Sequence, residues 1–270
     1  MLIQEKALNY WIDHFYGYGS WRARIWFIGY EESGGDVPED VSERLDYFDS
    51  THKLNSETLC NIRDLYQHVS AHVDGPKAGL FKTLYDYRFG SKAILHGAWK
   101  NLIAFAHGHE GKKLPDLLAY QKKSFALGER EALMNLYPLP APHNHAWYYS
   151  WIDMPKISFI KKRTEYQSHV YENRINTILT NLDRYKPEVV LLYGMNNIQS
   201  LKTSVQNFFP AAKFSLVKAI KQHIPQHHRT NFNGTTLLIT TQVPTLRHNR
   251  VETGFDWYSF GKMVAAKKTH

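Results

Sequence analysis

Three short segments carry residue types suited to chemistry. The first is Gly29-Tyr30-Glu31-Glu32-Ser33-Gly34-Gly35, two carboxylates and three glycines in one turn. A carboxylate at the end of a buried strand is partly desolvated and suited to act as a base. Glycine lets backbone approach a ligand closely. The same residues also fit a solvated acidic turn that runs on into Asp36, Glu39, Asp40 and Glu43. The second segment is Leu133-Met134-Asn135-Leu136-Tyr137-Pro138, in which Asn135 interrupts an apolar run. A buried Asn needs partners, and its amide offers one acceptor and two donor hydrogens, enough to read the edge of a pyrimidine. Satisfying a neighbouring loop is the plainer role for such an Asn. The third is Gln242-Val243-Pro244-Thr245-Leu246-Arg247-His248-Asn249-Arg250. Arg and Thr hold phosphates and Leu can wedge into a base stack, so this mixture suits DNA, although an exposed basic loop has the same composition.

The elements that must position these segments follow from hydrophobic pattern. Four short apolar runs, at 25–28, 133–137, 189–193 and 236–240, end in Gly, Pro or a polar turn. Their continuous hydrophobicity predicts strands covered on both faces, as in a parallel sheet. Between them lie helical stripes. One is Ile175, Ile178, Leu179, Leu182 and Tyr185, stopped by Pro187. A second is Ala98, Trp99, Leu102, Ile103 and Ala106, and a third is Trp257, Phe260, Met263 and Val264. The alternation predicts an α/β fold, three-layer α/β/α, with a central, mainly parallel four-stranded sheet. One domain is expected over 1–270, with an insertion at about 36–90. In such sheets ligands bind beyond the carboxyl ends of the strands, which is where the first and third segments fall.

Composition narrows the partners. No stretch approaches the roughly 18 apolar residues of a membrane helix, and the first residues do not resemble a signal peptide, so a cytoplasmic protein is expected. The only cysteine, Cys60, excludes an internal disulfide and a cysteine-built metal site. Residues 156–270 hold 17 basic and 6 acidic side chains, whereas residues 1–155 hold 16 and 19. A basic surplus confined to one half suggests a polyanion. Adjacent histidines in Gln226-His227-His228-Arg229 project differently and have no carboxylate nearby, so no metal is expected there.

In their shared order the three segments resemble motifs of the uracil-DNA glycosylase superfamily. Its members carry a first-strand motif of the type G-x-[DNE]-P-G or G-Q-D-P-Y, an Asn-bearing strand, and a strand that enters an H-P-S-type loop. This chain offers GYEES, MNLYPLP and QVPTLR, and its RYKPEVVLLYG is similar to the family's P-x-V-I-x-x-x-G strand. The resemblance spans roughly residues 24 to 260 and lies nearer the mismatch-specific and single-strand-selective branches than the uracil-specific one. Glu32 stands in place of the motif proline and Ser33 at the next position. Val243 occupies the histidine position, where mismatch-specific thymine glycosylases also have an apolar residue.

The resemblance implies a monofunctional DNA glycosylase that flips its target nucleotide out of the stack and leaves an abasic site. Glu31 would activate water, with Glu32 next in line, and Asn135 would bind the base edge. Gly29, Tyr30 and Ser33 would line the base pocket, with Tyr47 or Phe48 stacking on the base. Thr245, Leu246, Arg247 and Arg250 would hold the DNA, and His248 is a candidate substitute for the missing histidine. No cofactor or metal is required, and a monomer is expected. Small Ser33, where uracil-specific relatives place Tyr, leaves room for a 5-substituted pyrimidine, found as damage or in modified phage DNA. Two other readings stay open: a catalytically idle DNA-binding module on the same fold, and a hydrolase or transferase of free nucleosides, which the basic half disfavours.

Overall fold

The structure is a computed structural model that describes residues 3–35, 37–55, 58–141, 147–221, 223–245 and 254–266. The helices are α1 (Glu5–His14), α2 (Pro38–Asn55), α3 (Ile62–His72), α4 (Leu84–Arg88), α5 (Gly97–His109), α6 (Leu117–Gln121), α7 (Arg163–Tyr185), α8 (Ile198–Phe208) and α9 (Trp257–Ala266). The strands are β1 (Gly17–Tyr18), β2 (Ile25–Glu31), β3 (Leu59–Cys60), β4 (Glu131–Tyr137), β5 (Val189–Tyr193), β6 (Ser215–Val217), β7 (His227–Phe232) and β8 (Thr235–Ile239). No helix of the described residues is long and apolar enough to cross a membrane.

The fold is α/β, as expected, but the sheet is larger than four strands. Eight described strands run in the order β3-β1-β4-β2-β5-β8-β7-β6. The four expected strands are its parallel centre, β4-β2-β5-β8. Their side chains are buried almost throughout, which is why their sequences are continuously apolar. The additional strands lack that signature. β1 and β3 are two residues each, and β6 is exposed. β7 alternates and is joined to β8 by Asn233-Gly234, both at positive φ (47° and 84°). That is the turn a two-residue hairpin requires, and Asn-Gly is its usual sequence. β1, β6 and β7 each pair antiparallel with a neighbour, so the sheet is mixed.

The chain steps from β2 to β4 in one direction and from β4 to β5 and on to β8 in the other. Right-handed crossovers then place the intervening helices on opposite faces. On one face Phe105 of α5 meets Phe27 of β2 with ring centroids 6.0 Å apart, and α5 packs along α9. On the other, α7 lies along β4 and touches α1 and α8. The Ile175 stripe is the buried face of α7, which ends at Lys186 in the left-handed conformation just before Pro187. Upstream, α7 extends to Arg163, further than its apolar stripe indicates. One apolar core runs from Ile3 to Val264.

The α5–α9 crossing depends on two absent side chains. A Cβ on Gly108 would lie 2.0 Å from the Tyr258 carbonyl oxygen, and one on Gly261 would lie 2.1 Å from that of Phe105. Backbone cannot yield there without separating the helices. Gly261→Ala is therefore expected to destabilise the protein by about 3 kcal/mol, the upper range for overpacking, measured as a lowered urea midpoint. Gly79→Ala, with nothing within 4 Å of its Cβ position, is the matched control. Equal midpoints in the two variants would refute this account of the crossing.

Candidate active site

A cleft of about 540 Å³ opens beyond the carboxyl ends of the parallel strands. It is lined by Tyr30 and Glu31 at the end of β2 with Glu32 and Ser33 after it, Ala141 after β4, Tyr193 at the end of β5 with Gly194 and Asn196 after it, and Val243 after β8. Arg163 and Gln167, at the start of α7, complete the wall. This volume lies within the usual range for small-molecule sites.

The two carboxylates occupy opposite environments. Glu31 meets the cation Arg163: Arg163 Nε donates to Oε1 at 3.0 Å and Nη2 donates to Oε2. Gln167 Nε2 also donates to Oε1, at 2.7 Å. Arg163 and Gln167 are four apart on α7 and so share one helix face. Glu32 is 5% exposed. Tyr18 donates its hydroxyl to Oε1 at 2.8 Å, and Asn135 donates its amide to Oε2.

The nearest cation to Glu32 is already committed. Arg44 Nε donates to Asp40 Oδ1 at 2.8 Å, whereas Arg44 Nη1 stands 3.8 Å from Glu32 Oε1. Arg44 and Asp40 are fully buried. One guanidinium thus faces two buried carboxylates and sits closer to Asp40. Burial pushes the Glu32 carboxyl above its ordinary value, and Arg44, Tyr18 and Asn135 offset this only in part. Asp40 also accepts from the Gly35 amide at 3.1 Å, tying α2 to the turn that follows Glu32.

Asn135 reaches Glu32 across the sheet. Gly29 pairs with Asn135 on one side and with Tyr193 on the other. A Cβ on Gly29 would lie 2.9 Å from Asn135 Oδ1 and 3.0 Å from the Tyr193 hydroxyl. The missing side chain of Gly29 is what lets these two groups close over the strand. Beneath them Arg174 of α7, itself buried, donates to the carbonyls of Asn135 (2.8 Å), Leu136 (3.0 Å) and Phe15 (2.6 Å). Its guanidinium lies over the Tyr16 ring at 3.6 Å. Burial lowers the pKa of Arg174 from its ordinary value, while these contacts anchor the end of β4.

Of the residues singled out in the sequence, Glu31, Tyr30 and Ser33 line the cleft. Asn135 is not on its surface but buried behind Glu32, so its amide orients a carboxylate. Tyr47 and Phe48 are not brought to the cleft. Phe48 is in the core against Trp11 and Phe15, and Tyr47 packs against His68. Thr245 follows Val243 in a loop whose Pro244 carbonyl accepts from Asn101 of α5 at 3.2 Å. Leu246, Arg247, His248 and Arg250 lie outside the described residues. His227 is buried in β7 with Nδ1 2.8 Å from the Pro225 carbonyl oxygen, while His228 is only partly buried, consistent with alternation along a strand.

Sequence reasoning missed Arg163, Gln167, Arg44, Tyr18, Tyr193 and Asn196. For Tyr193 and Asn196 the signal was present, because Tyr193 ends the third apolar run, Asn196 lies just beyond it, and strand ends are where ligands bind. For Arg163, Gln167, Arg44 and Tyr18 there was none, since only the fold brings them to Glu31 and Glu32. The chain matches no family model, no curated protein and no solved structure.

Removing Arg44 would leave two buried carboxylates without their cation. Arg44→Met is expected to cost about 3–5 kcal/mol near neutral pH, as for a broken buried pair. The sign of its pH dependence follows from the carboxyls. Burial already raises the Glu32 carboxyl, and loss of the Arg44 charge that opposes this raises it further, so the variant loses stability as pH rises above the ordinary carboxylate range and recovers toward wild type as pH falls. Urea unfolding at pH 4.5 and 7.5 measures this; a deficit that is equal at both, or larger at the lower pH, would contradict the assignment.

Proposed function

We propose that the chain hydrolyses the N-glycosidic bond of a pyrimidine nucleotide in DNA, as a monofunctional glycosylase. The observation that carries the reading is the adjacent pair Glu31 and Glu32, in one cleft but in opposite environments. Two carboxylates in different surroundings take different roles in acid–base chemistry. Glu31, beside the Arg163 cation, orients water and opposes the positive charge developing on the sugar. Glu32, buried and raised, holds a proton for the departing base. That assignment supplies what Val243, in the position of the family's histidine, cannot.

The other parts follow. Tyr30 and Tyr193 are the aromatic walls for a flipped base, in place of Tyr47 and Phe48. Asn196 and Gln167 offer amides to its edge. Arg163 suits a phosphate flanking the target. The segment leading to it carries Trp151, 88% exposed, and Trp147, whose ring lies 5.5 Å from the Arg163 guanidinium. An exposed aromatic suits stacking on bases, and the basic second half of the chain suits the phosphate backbone.

The test is incubation with duplex and single-stranded oligonucleotides bearing different pyrimidines, then alkaline cleavage at abasic sites. Glu31→Gln is expected to lower excision at least about 100-fold, the scale for loss of a general base, with DNA binding retained. In wild type the rate is expected to fall as pH rises through the Glu32 ionisation, because the acid form is the active one. Glu32→Gln should be slow and lack that alkaline limb. Full activity in both variants would remove the mechanism. Strand breaks absent on every substrate would remove the function.

Specificity has its own test. Ser33 is small at the cleft wall and leaves room for a base substituted at carbon 5, and polar contacts to that substituent, not the room itself, are expected to make such a base a better substrate than plain uracil. Ser33→Tyr should reverse that order by steric exclusion of the larger base. Uracil preferred by the wild type, or bulky bases unaffected in Ser33→Tyr, would exclude the roomy pocket. A second reading, binding DNA without cleavage, draws on the same site: Arg163 and Gln167 together engage both Glu31 oxygens, leaving Glu31 less available as a base. Salt-sensitive binding without strand breaks would favour that reading.

A further inference from the structure

We propose a divalent transition-metal site, suited to zinc, formed by Glu43, His68 and His72 between α2 and α3. It lies apart from the carboxylate pair and does not rest on the glycosylase reading. His68 and His72 are four apart on α3, the spacing that puts two side chains on one helix face. Their rings stack with centroids 4.2 Å apart. Glu43, on α2, faces them. One ligand atom from each of the three lies within 4.8 Å of those of the other two.

The atoms are prepared for coordination. His72 Nδ1 lies 2.9 Å from the His68 carbonyl oxygen. That contact puts the proton on Nδ1 and leaves the Nε2 lone pair free, the arrangement that commonly fixes a metal-binding histidine. His68 Nε2 is buried and stands 3.3 Å from Glu43 Oε2. Ligands about 2.0–2.1 Å from a tetrahedral zinc are about 3.4 Å from one another, so this pair already spans one edge of the tetrahedron. Small side-chain rotations bring in His72, which is exposed. Two imidazoles and one carboxylate are a ligand set zinc accepts, with the fourth position left to water or to exposed Asp46, one turn beyond Glu43 on α2.

The site has a structural consequence. Glu43 precedes Arg44, and Asp40 lies on the same helix. A metal joining α2 to α3 would therefore brace the helix that supplies the cation to Glu32. The signal for this site in the sequence is the four-residue spacing of His68 and His72, away from Gln226-His227-His228-Arg229, where no metal is expected.

The test uses the full chain, stripped with chelator and then equilibrated with zinc. Wild type is expected to retain one more zinc equivalent than His72→Ala and than Glu43→Gln after gel filtration, by elemental analysis. Zinc should raise the melting midpoint of wild type by about 5 °C through ligand linkage, and of neither variant. Because His72 is exposed, His72→Ala should match the metal-free wild type in circular dichroism and midpoint. Cobalt(II) in place of zinc should give a visible absorption band that both variants lack. Equal zinc content in wild type and variants, or a zinc-induced shift that survives in both, would overturn the site.

Discussion

The geometry of the cleft depends on a shortage of positive charge in a buried place. Arg44 is the guanidinium that serves both Asp40 and Glu32, and all three are shielded from water. Coulombic attraction is strong where the dielectric is low, and so is the cost of an unpaired ion. The closer contact goes to Asp40, which also holds the Gly35 amide and therefore the turn. Glu32 receives the remainder, together with hydrogen bonds from Tyr18 and Asn135. Burial raises its pKa, and its distant share of Arg44 with these two hydrogen bonds offsets that only in part.

That arrangement ties separate parts of the chain to one carboxylate. Tyr18 comes from a two-residue strand beside β4, and Arg44 from a helix in the stretch expected to be an insertion. Asn135 comes from the adjacent parallel strand. The stretch 36–90 reads in the sequence as an insertion. Its helix α2 carries Asp40 and Arg44 behind the site, so a scaffolding part is present in the structure. Gly29 makes the approach of Asn135 sterically possible, and Arg174 holds the β4 backbone from the other side. The carboxylate, the strand that braces it and the helix that charges it are thus one unit. A change in any of them reaches the cleft through rigid, buried contacts.

Glu31 shows the complementary design. It stands at the cleft wall beside a cation from α7 and is held at both oxygens. Neighbours in sequence, Glu31 and Glu32 face different partners because consecutive side chains of an extended segment point to opposite faces. Glu31 is the last residue of β2 and keeps its register with Tyr137, to whose carbonyl the Glu32 amide still donates at 3.4 Å. Backbone alternation thereby separates two chemically identical side chains into two environments.

The sequence alone determined the α/β class, the four central strands, the three helical stripes and the end of the sheet at which to look. Each of these is written in local pattern: continuous apolar runs for strands covered on both faces, 3.6-residue spacing for helices. It also marked Glu31, Glu32, Tyr30 and Ser33, because a motif at a strand end is contiguous. The edge strands were not legible, being short or alternating, although Asn233-Gly234 announced the β7–β8 hairpin. Only the tertiary structure decided that Asn135 braces a carboxylate, that Phe48 belongs to the core, and that Arg44 and Arg163 divide the two glutamates. Asn135 is 103 residues from Glu32, and Arg163 is 132 from Glu31. A charge has no fixed meaning in a sequence, because its ionisation depends on burial and on neighbours that only the folded chain brings within reach.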